Sequence, residues 1–398
     1  MRVAIIADTF PPLRTSGAVQ LRDLSSEFAS QGHHVTMMVA SPELHESSRL
    51  EVCGNLSVLR LKAPKTKDIS YVRRTINEFL TPFVMQRNLR RSLLAKAQFD
   101  GIVWYSPTIF MGPLVNALKR KHRCRAYLII RDIFPQWAAD MGLMPRQVAF
   151  YLLSRVARAQ YMVADVIGVQ TGGNLPFLRS EEAGPHSALL EVLPNWLGPP
   201  VSSPCSIDIS QTCLSGRQIF VYAGNMGVAQ GIEKLLNLIY QFRDREDIGF
   251  LFVGRGSNAD NILAFVKRER IINVIVHDEI EPDEIPALYR QCHIGLVSLD
   301  ARHTTHNVPG KFVSYIQAGL PVLASVNPDN DLEKLIVEHG VGRVSIDPAG
   351  EDLAEHALAL LDSVAFDSGL AERCRALSES MFSPASAVRQ IVAALEIK

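Results

Sequence analysis

The sequence predicts an α/β protein built from two doubly wound, Rossmann-like parallel-sheet domains facing a cleft. Three observations predict it. Short apolar runs rich in β-branched residues alternate with helical patterns along the whole chain, the signature of parallel sheets covered by helices on both faces. A Pro-, Ser- and Gly-rich stretch, "PNWLGPPVSSPCSIDISQTCLSGR", interrupts that alternation near the middle and has the composition of an inter-domain linker. Charge divides at the same place: residues 1–195 hold 24 Lys+Arg against 15 Asp+Glu, and residues 196–398 hold 17 against 26. A chain of 398 residues also exceeds what one core comfortably serves.

In chain order the first half offers "RVAIIA", "HVTMMVA", "LSVLRL", "DGIVWY", "AYLIIR", "ADVIGV" and "ALLEVL" as strands. After the first of these, Leu21, Leu24 and Phe28 form one helical face and Gly32 marks a C-terminal stop. Ser16 and Gly17 fall at that helix entrance, where a serine has a ready role as a cap. The second half offers "QIFVYA", "IGFLFV", "NVIVH", "HIGLVSL", "PVLASV" and "RVSI". Ligands of such sheets bind beyond the carboxyl ends of the strands, so the loops that follow strands are where chemistry is expected.

Three of those loops in the second half stand out. "YAGNMGVAQGIEKLL" brings Gly224, Asn225, Gly227 and Gln230 after a strand, and its glycines permit close backbone approach to a phosphate, although the spacing matches neither the dinucleotide fingerprint nor the P-loop. "FVGRGSNAD" adds Gly254, Arg255 and Gly256 after the next strand. "HNVPGKFVSYIQAGLP", His306 to Pro321, reads as a crossover helix that opens on Pro309, Gly310 and Lys311. Its entrance offers amide donors and one cation at a positive dipole end, a layout able to hold an anion. An ordinary helix start with a solvated lysine has the same sequence, and it is the convergence of three such loops on one sheet edge that favours a site.

Other features exclude chemistry. "DND" at Asp329 to Asp331 directly precedes the helical pattern "LEKLIVEHG" and reads as a helix start. His303 and His306 lie three apart with no third ligand nearby, and the six cysteines form no CxxC pair, so no metal is expected. No GxSxG elbow occurs. No uncharged apolar run reaches the roughly 18 residues that span a bilayer, and the five apolar residues before Asp8 suit a buried strand better than a leader. A cytoplasmic location is expected. The basic stretch "YVRRTINEFLTPFVMQRNLRRSLLAKAQ" interleaves six cations with apolar residues, which suits a lipid headgroup surface or a solvated helix packed on the sheet. Nucleic acid is not expected beside so acidic a second half.

The whole chain resembles a retaining, family 4 glycosyltransferase of the GT-B fold, and within it the WbuB-like branch that transfers N-acetyl-L-fucosamine. The resemblance rests on "FPP" with "GHHV", "RDIFPQWAADMGLM", "VLPNW", "YAGNMGVAQGIEKLL", "FVGRGSN" and "NVPGKFVSYIQAGLPVLA". It implies an acceptor-binding domain over residues 1–198, a linker over 199–216, a nucleotide-sugar domain over 217–381 and a C-terminal helix over 382–398 that crosses back to the first domain. It also implies a hexosyltransferase moving a UDP-linked sugar, an N-acetylhexosamine, to a polyprenyl-diphosphate saccharide of O-antigen or capsule at the inner face of the inner membrane, with no cofactor and no metal.

By the same resemblance Lys311 and the amides near Gly310 grip the donor diphosphate, with Asn225, Gly227 and Gln230 on the neighbouring turn. Ile280 meets the base, and Ser16, Gly17, Gly224, Gly254, Arg255, Asn307 and Pro309 complete the donor site. His306 and Ser314 stand where the family carries two glutamates, and Asn225 and Gln230 where it commonly carries an Arg/Lys pair. Arg131 stands where it often carries a histidine, beside Asp132, the candidate for orienting the acceptor hydroxyl. A UDP-sugar 2-epimerase of the same fold and a non-catalytic membrane scaffold are the rival readings.

Overall fold

The apolar runs become buried strands in two separate sheets. A computed structural model describes residues 1–106, 108–201, 203–302 and 306–397, which divide into two units, 1–198 with 384–398, and 199–383.

The first unit contains β1 (Arg2–Ala7), α1 (Ser16–Ser30), β2 (His34–Ser41), β3 (Ser48–Cys53), β4 (Leu56–Lys62), α2 (Tyr71–Leu89), β5 (Gly101–Tyr105), α3 (Gly112–His122), β6 (Arg125–Ile130), α4 (Gln136–Asp140), α5 (Val148–Val163), β7 (Val166–Val169), α6 (Leu175–Arg179) and β8 (Leu189–Val192). Its strand order is β3-β4-β2-β1-β5-β6-β7-β8. All pairings are parallel except β3 with β4, a hairpin closed through Gly54 at φ 57°. Met85 and Leu89 of α2, Leu114 and Val115 of α3 and Ala157 and Tyr161 of α5 cover one face. Leu21, Leu24 and Phe28 of α1 cover the other, beside Val388 and Ile391 of the last helix.

The second unit contains β9 (Gln218–Ala223), α7 (Ile232–Gln241), β10 (Ile248–Val253), α8 (Ala259–Arg268), β11 (Val274–His277), α9 (Ile285–Tyr289), β12 (Ile294–Ser298), α10 (Gly310–Ala318), β13 (Val322–Ser325), α11 (Asp331–His339), β14 (Gly342–Ser345), α12 (Leu353–Phe366) and α13 (Leu370–Met381). Its strands run β11-β10-β9-β12-β13-β14, all parallel. Phe220 and Tyr222 stack on Phe250 and Phe252 across the β9–β10 register, so aromatic pairs stiffen the strands that lead to the glycine turns.

Two local outcomes differ from the sequence reading. Residues 199–216 make their contacts within the second unit: the Ser206 N–H donates to Glu284 at 2.5 Å, the Ile209 N–H donates to Gln291 Oε1 at 2.9 Å, and Leu214 is fully buried. At the entrance of α1 the cap is Thr15, whose Oγ1 accepts from the Ala18 N–H at 3.2 Å, and Ser16 is the first helical residue. A threonine one position earlier does the job because its extended backbone (φ −78°, ψ 151°) aims the hydroxyl at the first turn.

The last helix, α14 (Pro384–Glu396), packs on the first unit. Gln390 Nε2 donates to the Val192 carbonyl at 2.8 Å, and Val388 and Ile391 are fully buried. All three tryptophans, Trp104, Trp137 and Trp196, lie in this unit, so their fluorescence reports its unfolding alone. Ile391→Ala is expected to cost the first unit about 2–5 kcal/mol, read as a lower urea midpoint of the tryptophan transition. An unchanged midpoint would show that α14 does not hold the unit together.

Candidate functional site

The second sheet reverses its winding between β9 and β12, the place where doubly wound sheets bind ligands beyond their carboxyl ends. β9 runs into Gly224 at φ 132°, and β10 into Gly254 at 143° and Gly256 at 151°. These are conformations that only glycine adopts without strain. A Cβ on Gly254 would overlap the Gly224 carbonyl oxygen, and one on Gly256 would come within 2.5 Å of the Met226 backbone. The two turns therefore pack backbone against backbone. The Met226 N–H donates to the Arg255 carbonyl at 2.8 Å and the Asn258 N–H to the Met226 carbonyl at 2.9 Å.

Beside these turns begins α10. Pro309 is its N-cap in extended geometry (φ −61°, ψ 143°) and Gly310 its first helical residue, so the first amides of the helix lack intrahelical partners and carry the positive end of its dipole. Lys311 follows. Its Nζ donates to Gln230 Oε1 at 2.9 Å and sits 3.7 Å from the centroid of the Tyr222 ring. Gln230 belongs to a short 3-10 turn, Val228–Gln230, placed by Gly231, where a Cβ would meet the Leu299 carbonyl at 2.8 Å. Tyr222 Oη donates to the Asn225 carbonyl at 2.7 Å and lies 3.1 Å from Gln230 Oε1. Burial pushes the Lys311 amine down to about 7, because removal from water disfavours the charged form.

The other expected donor residues surround this core unevenly. Gly227 lies at the head of the 3-10 turn, where an added Cβ would meet only the movable Asn225 amide. Ser314 turns inward, its Oγ donating to the Lys311 carbonyl at 2.9 Å and lying 3.3 Å from Tyr289 Oη. Arg255 is exposed and pairs with Glu279 at 3.0 Å. Ile280 is buried next to the turn Pro282–Glu284. His306 and Asn307 are half-buried, and His306 Nδ1 lies 3.5 Å from the Asp331 carboxylate. Asp331 itself opens α11 behind the Asn330 cap, so the "DND" stretch is a helix start. His303 lies outside the described residues, among which no group of three or more His, Cys, Asp or Glu is placed to hold a metal ion.

Ser16, Gly17, Arg131 and Asp132 belong to the first unit. Its sheet reverses between β1 and β5, and Gly17 lies there, with room for a Cβ only 3.3 Å from Thr9 and 3.4 Å from the Tyr105 ring. Arg131 is 8% exposed. Its guanidinium donates to the Leu193 carbonyl at 2.8 Å and lies 4.5 Å from the Trp196 ring, whose Nε1 donates to the Gln20 carbonyl at 2.6 Å. Arg131 thus holds the "VLPNW" segment to the sheet rather than presenting its charge to solvent. Asp132 is half-buried just past β6. Sequence reasoning passed over Asp8, half-buried at the end of β1, whose carboxyl desolvation pushes up. It also passed over Tyr222, which looks like one more core aromatic in "QIFVYA".

Residues 209–379 match the family model Glycosyl transferases group 1. The chain is 26% identical over 220 residues to the probable glycosyltransferase WbjE of Pseudomonas aeruginosa, a match spanning 54% of each chain, so about half of that relative's length. It is 21% identical over 339 residues, 80% of this chain and 82% of the other, to the putative colanic acid biosynthesis glycosyl transferase WcaI of Escherichia coli K12. The crystal structure of HepE from Anabaena, solved with UDP and glucose, superposes with a TM-score of 0.70 at 14% identity over the full length of both chains. At that identity the likeness is one of fold.

The depressed Lys311 carries a stability consequence. The unfolded chain keeps this lysine protonated to its ordinary value of 10.5, whereas the folded protein releases the proton near 7. Between those values the unfolded state binds more protons, so stability rises with pH across the window. Lys311→Met removes the cost of the buried charge. It is expected to raise the calorimetric transition temperature of the ligand-free protein more at pH 6.5 than at pH 9. An equal effect at both would refute the burial of a chargeable amine.

Proposed function

We propose that this chain, whose residues 209–379 match the glycosyl transferases group 1 model and whose two α/β units have the GT-B fold, is a glycosyltransferase of that group and moves a sugar from a UDP-linked donor to a lipid-linked saccharide. The family and the relatives WbjE and WcaI support a glycosyltransferase of bacterial polysaccharide assembly. The donor proposed from the sequence resemblance is a UDP-linked N-acetylhexosamine, N-acetyl-L-fucosamine or a near relative, and the place of action is the cytoplasmic face of the inner membrane.

One observation carries the reading: a lone lysine at the N-terminus of α10, beside two glycine turns at the sheet's winding reversal. Departure of a diphosphate leaves charge on its oxygens. A pre-oriented ammonium and helix amides stabilise that charge more in the transition state than in the ground state. Gly224, whose Cβ position would meet only the end of the Lys311 side chain at 3.7 Å, leaves room for a phosphate oxygen to approach the backbone. Under a retaining course the leaving phosphate accepts the proton of the attacking hydroxyl, and Asp132 on the acceptor-binding unit orients that hydroxyl. UDP is the proposed nucleotide in keeping with the UDP in the HepE crystal structure.

The membrane part of the reading rests on α2. Val72, Ile76, Phe79, Leu80 and Phe83 are exposed along one side of it, while Met85 and Leu89 face the core. Phe79 and Phe83 lie 5.7 Å apart, and Arg73, Arg87, Arg90 and Arg91 accompany them. An apolar stripe with flanking cations lies in a headgroup interface, its side chains entering the acyl boundary and its charges meeting anionic lipids. Among the described residues no helix is long and apolar enough to cross a membrane.

Two experiments test the reading. A thermal-shift panel of nucleotides is expected to give a rise with UDP and none with GDP, with UDP affinity falling at least tenfold in Lys311→Met. No response to any nucleotide would contradict it. Phe79→Ser with Phe83→Ser is expected to abolish sedimentation with vesicles containing phosphatidylglycerol while leaving the UDP response intact; undiminished sedimentation would remove α2 from the membrane contact.

A further inference from the structure

Lys311 has too few partners for a permanent ammonium. An ammonium carries three donors, and here it meets one amide oxygen, Gln230 Oε1 at 2.9 Å, and one ring face, that of Tyr222. No carboxylate among the described residues pairs with it. Ordinary buried cations are paired, because lost hydration must be offset. A ring face and a single neutral hydrogen bond each return only part of what an opposite charge supplies.

Among the described residues no other side chain supplies an opposite charge. The phenol against the lysine is that of Tyr222 on β9, with Tyr315 one turn on along its own helix and Tyr289 of α9 beside Ser314. Burial raises all three, so they stay neutral near pH 7. β12 and β13, on which α10 packs, carry no titratable side chain. The charges on neighbouring segments are matched locally, Arg255 with Glu279, Asp300 with Arg302, and Arg375 of α13 with Glu372. Lys234 of α7 is directed at Ser325 Oγ and the Leu299 carbonyl, and His306 lies towards Asp331.

We infer that Tyr222 and Gln230 seat Lys311 as an unpaired, largely uncharged amine before the donor arrives, and that binding of a diphosphate is completed by one proton from solvent onto Lys311 Nζ. The inference rests on the donor-site reading above and adds to it a proton inventory and two positioning residues. Bond-making is limited to that N–H: the amine lone pair accepts the proton and the diphosphate supplies the opposite charge that burial otherwise withholds. Tyr222 acts by its ring, which excludes water from Nζ on one side. Gln230 acts by offering an uncharged acceptor where a carboxylate would fix the proton permanently. The consequence is a donor site whose affinity weakens with rising pH, and which releases a proton when the nucleotide leaves.

The test is calorimetric titration of the full chain with UDP at pH 8 in phosphate and in Tris, whose ionisation enthalpies differ. The terminal phosphate of UDP titrates near pH 6 and is already ionised, so any proton taken up enters the protein. The expected uptake is close to one proton per UDP, with the dissociation constant rising about tenfold from pH 8 to pH 9, the slope that one linked proton demands. Gln230→Glu supplies a carboxylate to Nζ, and Tyr222→Leu opens it to water; each is expected to bring the uptake at pH 8 towards zero while UDP still binds. UDP binding without proton uptake in the wild type would overturn the inference and leave the donor-site reading standing, as would uptake undiminished in Gln230→Glu. Absence of UDP binding at any pH would overturn both.

Discussion

A half-buried amine against the face of Tyr222, with no carboxylate partner among the described residues, is the constraint around which the entrance of α10 is built. Everything around Lys311 conspires to keep it where it is. The aromatic stack of Phe220, Tyr222, Phe250 and Phe252 fixes the two strands that bracket the turn. Tyr315 reaches from α10 to the β9 backbone, donating to the Val221 carbonyl at 3.0 Å and accepting from the Ala223 N–H at 3.0 Å. The helix cannot slide without breaking both bonds, so the lysine's stem is anchored one turn below its head. Such anchoring is what electrostatic catalysis requires, since a donor group that must reorganise during reaction loses its advantage.

Glycine performs the complementary task. At Gly224, Gly254 and Gly256 the backbone takes conformations closed to other residues, and two of the three lie so near another main chain that a methyl group would collide with it. The turns after β9 and β10 are thereby fused into one ledge beside the helix entrance. The two turns of the ledge and the helix entrance that carries both cation and amides follow three different strands, brought together only by the parallel strand order β10-β9-β12.

The sequence made much of this legible, for a physical reason: strands buried on both faces are continuous apolar runs, and the central strands β9, β10, β12 and β13 of the second sheet announce themselves so. The strand that escaped notice, β3, is an exposed edge strand with a polar alternation, "SRLEVC", and pairs antiparallel; its only signal is the Gly54–Asn55 turn that follows. The glycine turns were visible as composition, but their mutual contact was not, since it joins residues thirty apart. Tyr222 was hidden by its own strand, because nothing in "QIFVYA" distinguishes an aromatic that fills the core from one that presents its face to a lysine. Arg131 was visible as a cation near a sheet edge, while its engagement with Leu193 and Trp196 depends on a segment sixty residues on.

The division of charge also acquires a meaning at the level of function. The first unit concentrates cations and exposed aromatics on α2, a composition suited to an anionic lipid surface, whereas the second is acidic overall yet places Lys311, with no carboxylate partner among the described residues, at the entrance of α10. An acidic unit repels stray polyanions, and the local cation and helix dipole then act on a ligand small enough to reach them. Under the proposed function Lys311 Nζ neutralises a nucleotide diphosphate. A crystal structure of the protein with UDP decides the matter: a β-phosphate oxygen is expected within about 3 Å of Lys311 Nζ, with the first amides of α10 on the same phosphate. UDP bound with its phosphates away from α10, and Lys311 still on Gln230, would contradict it.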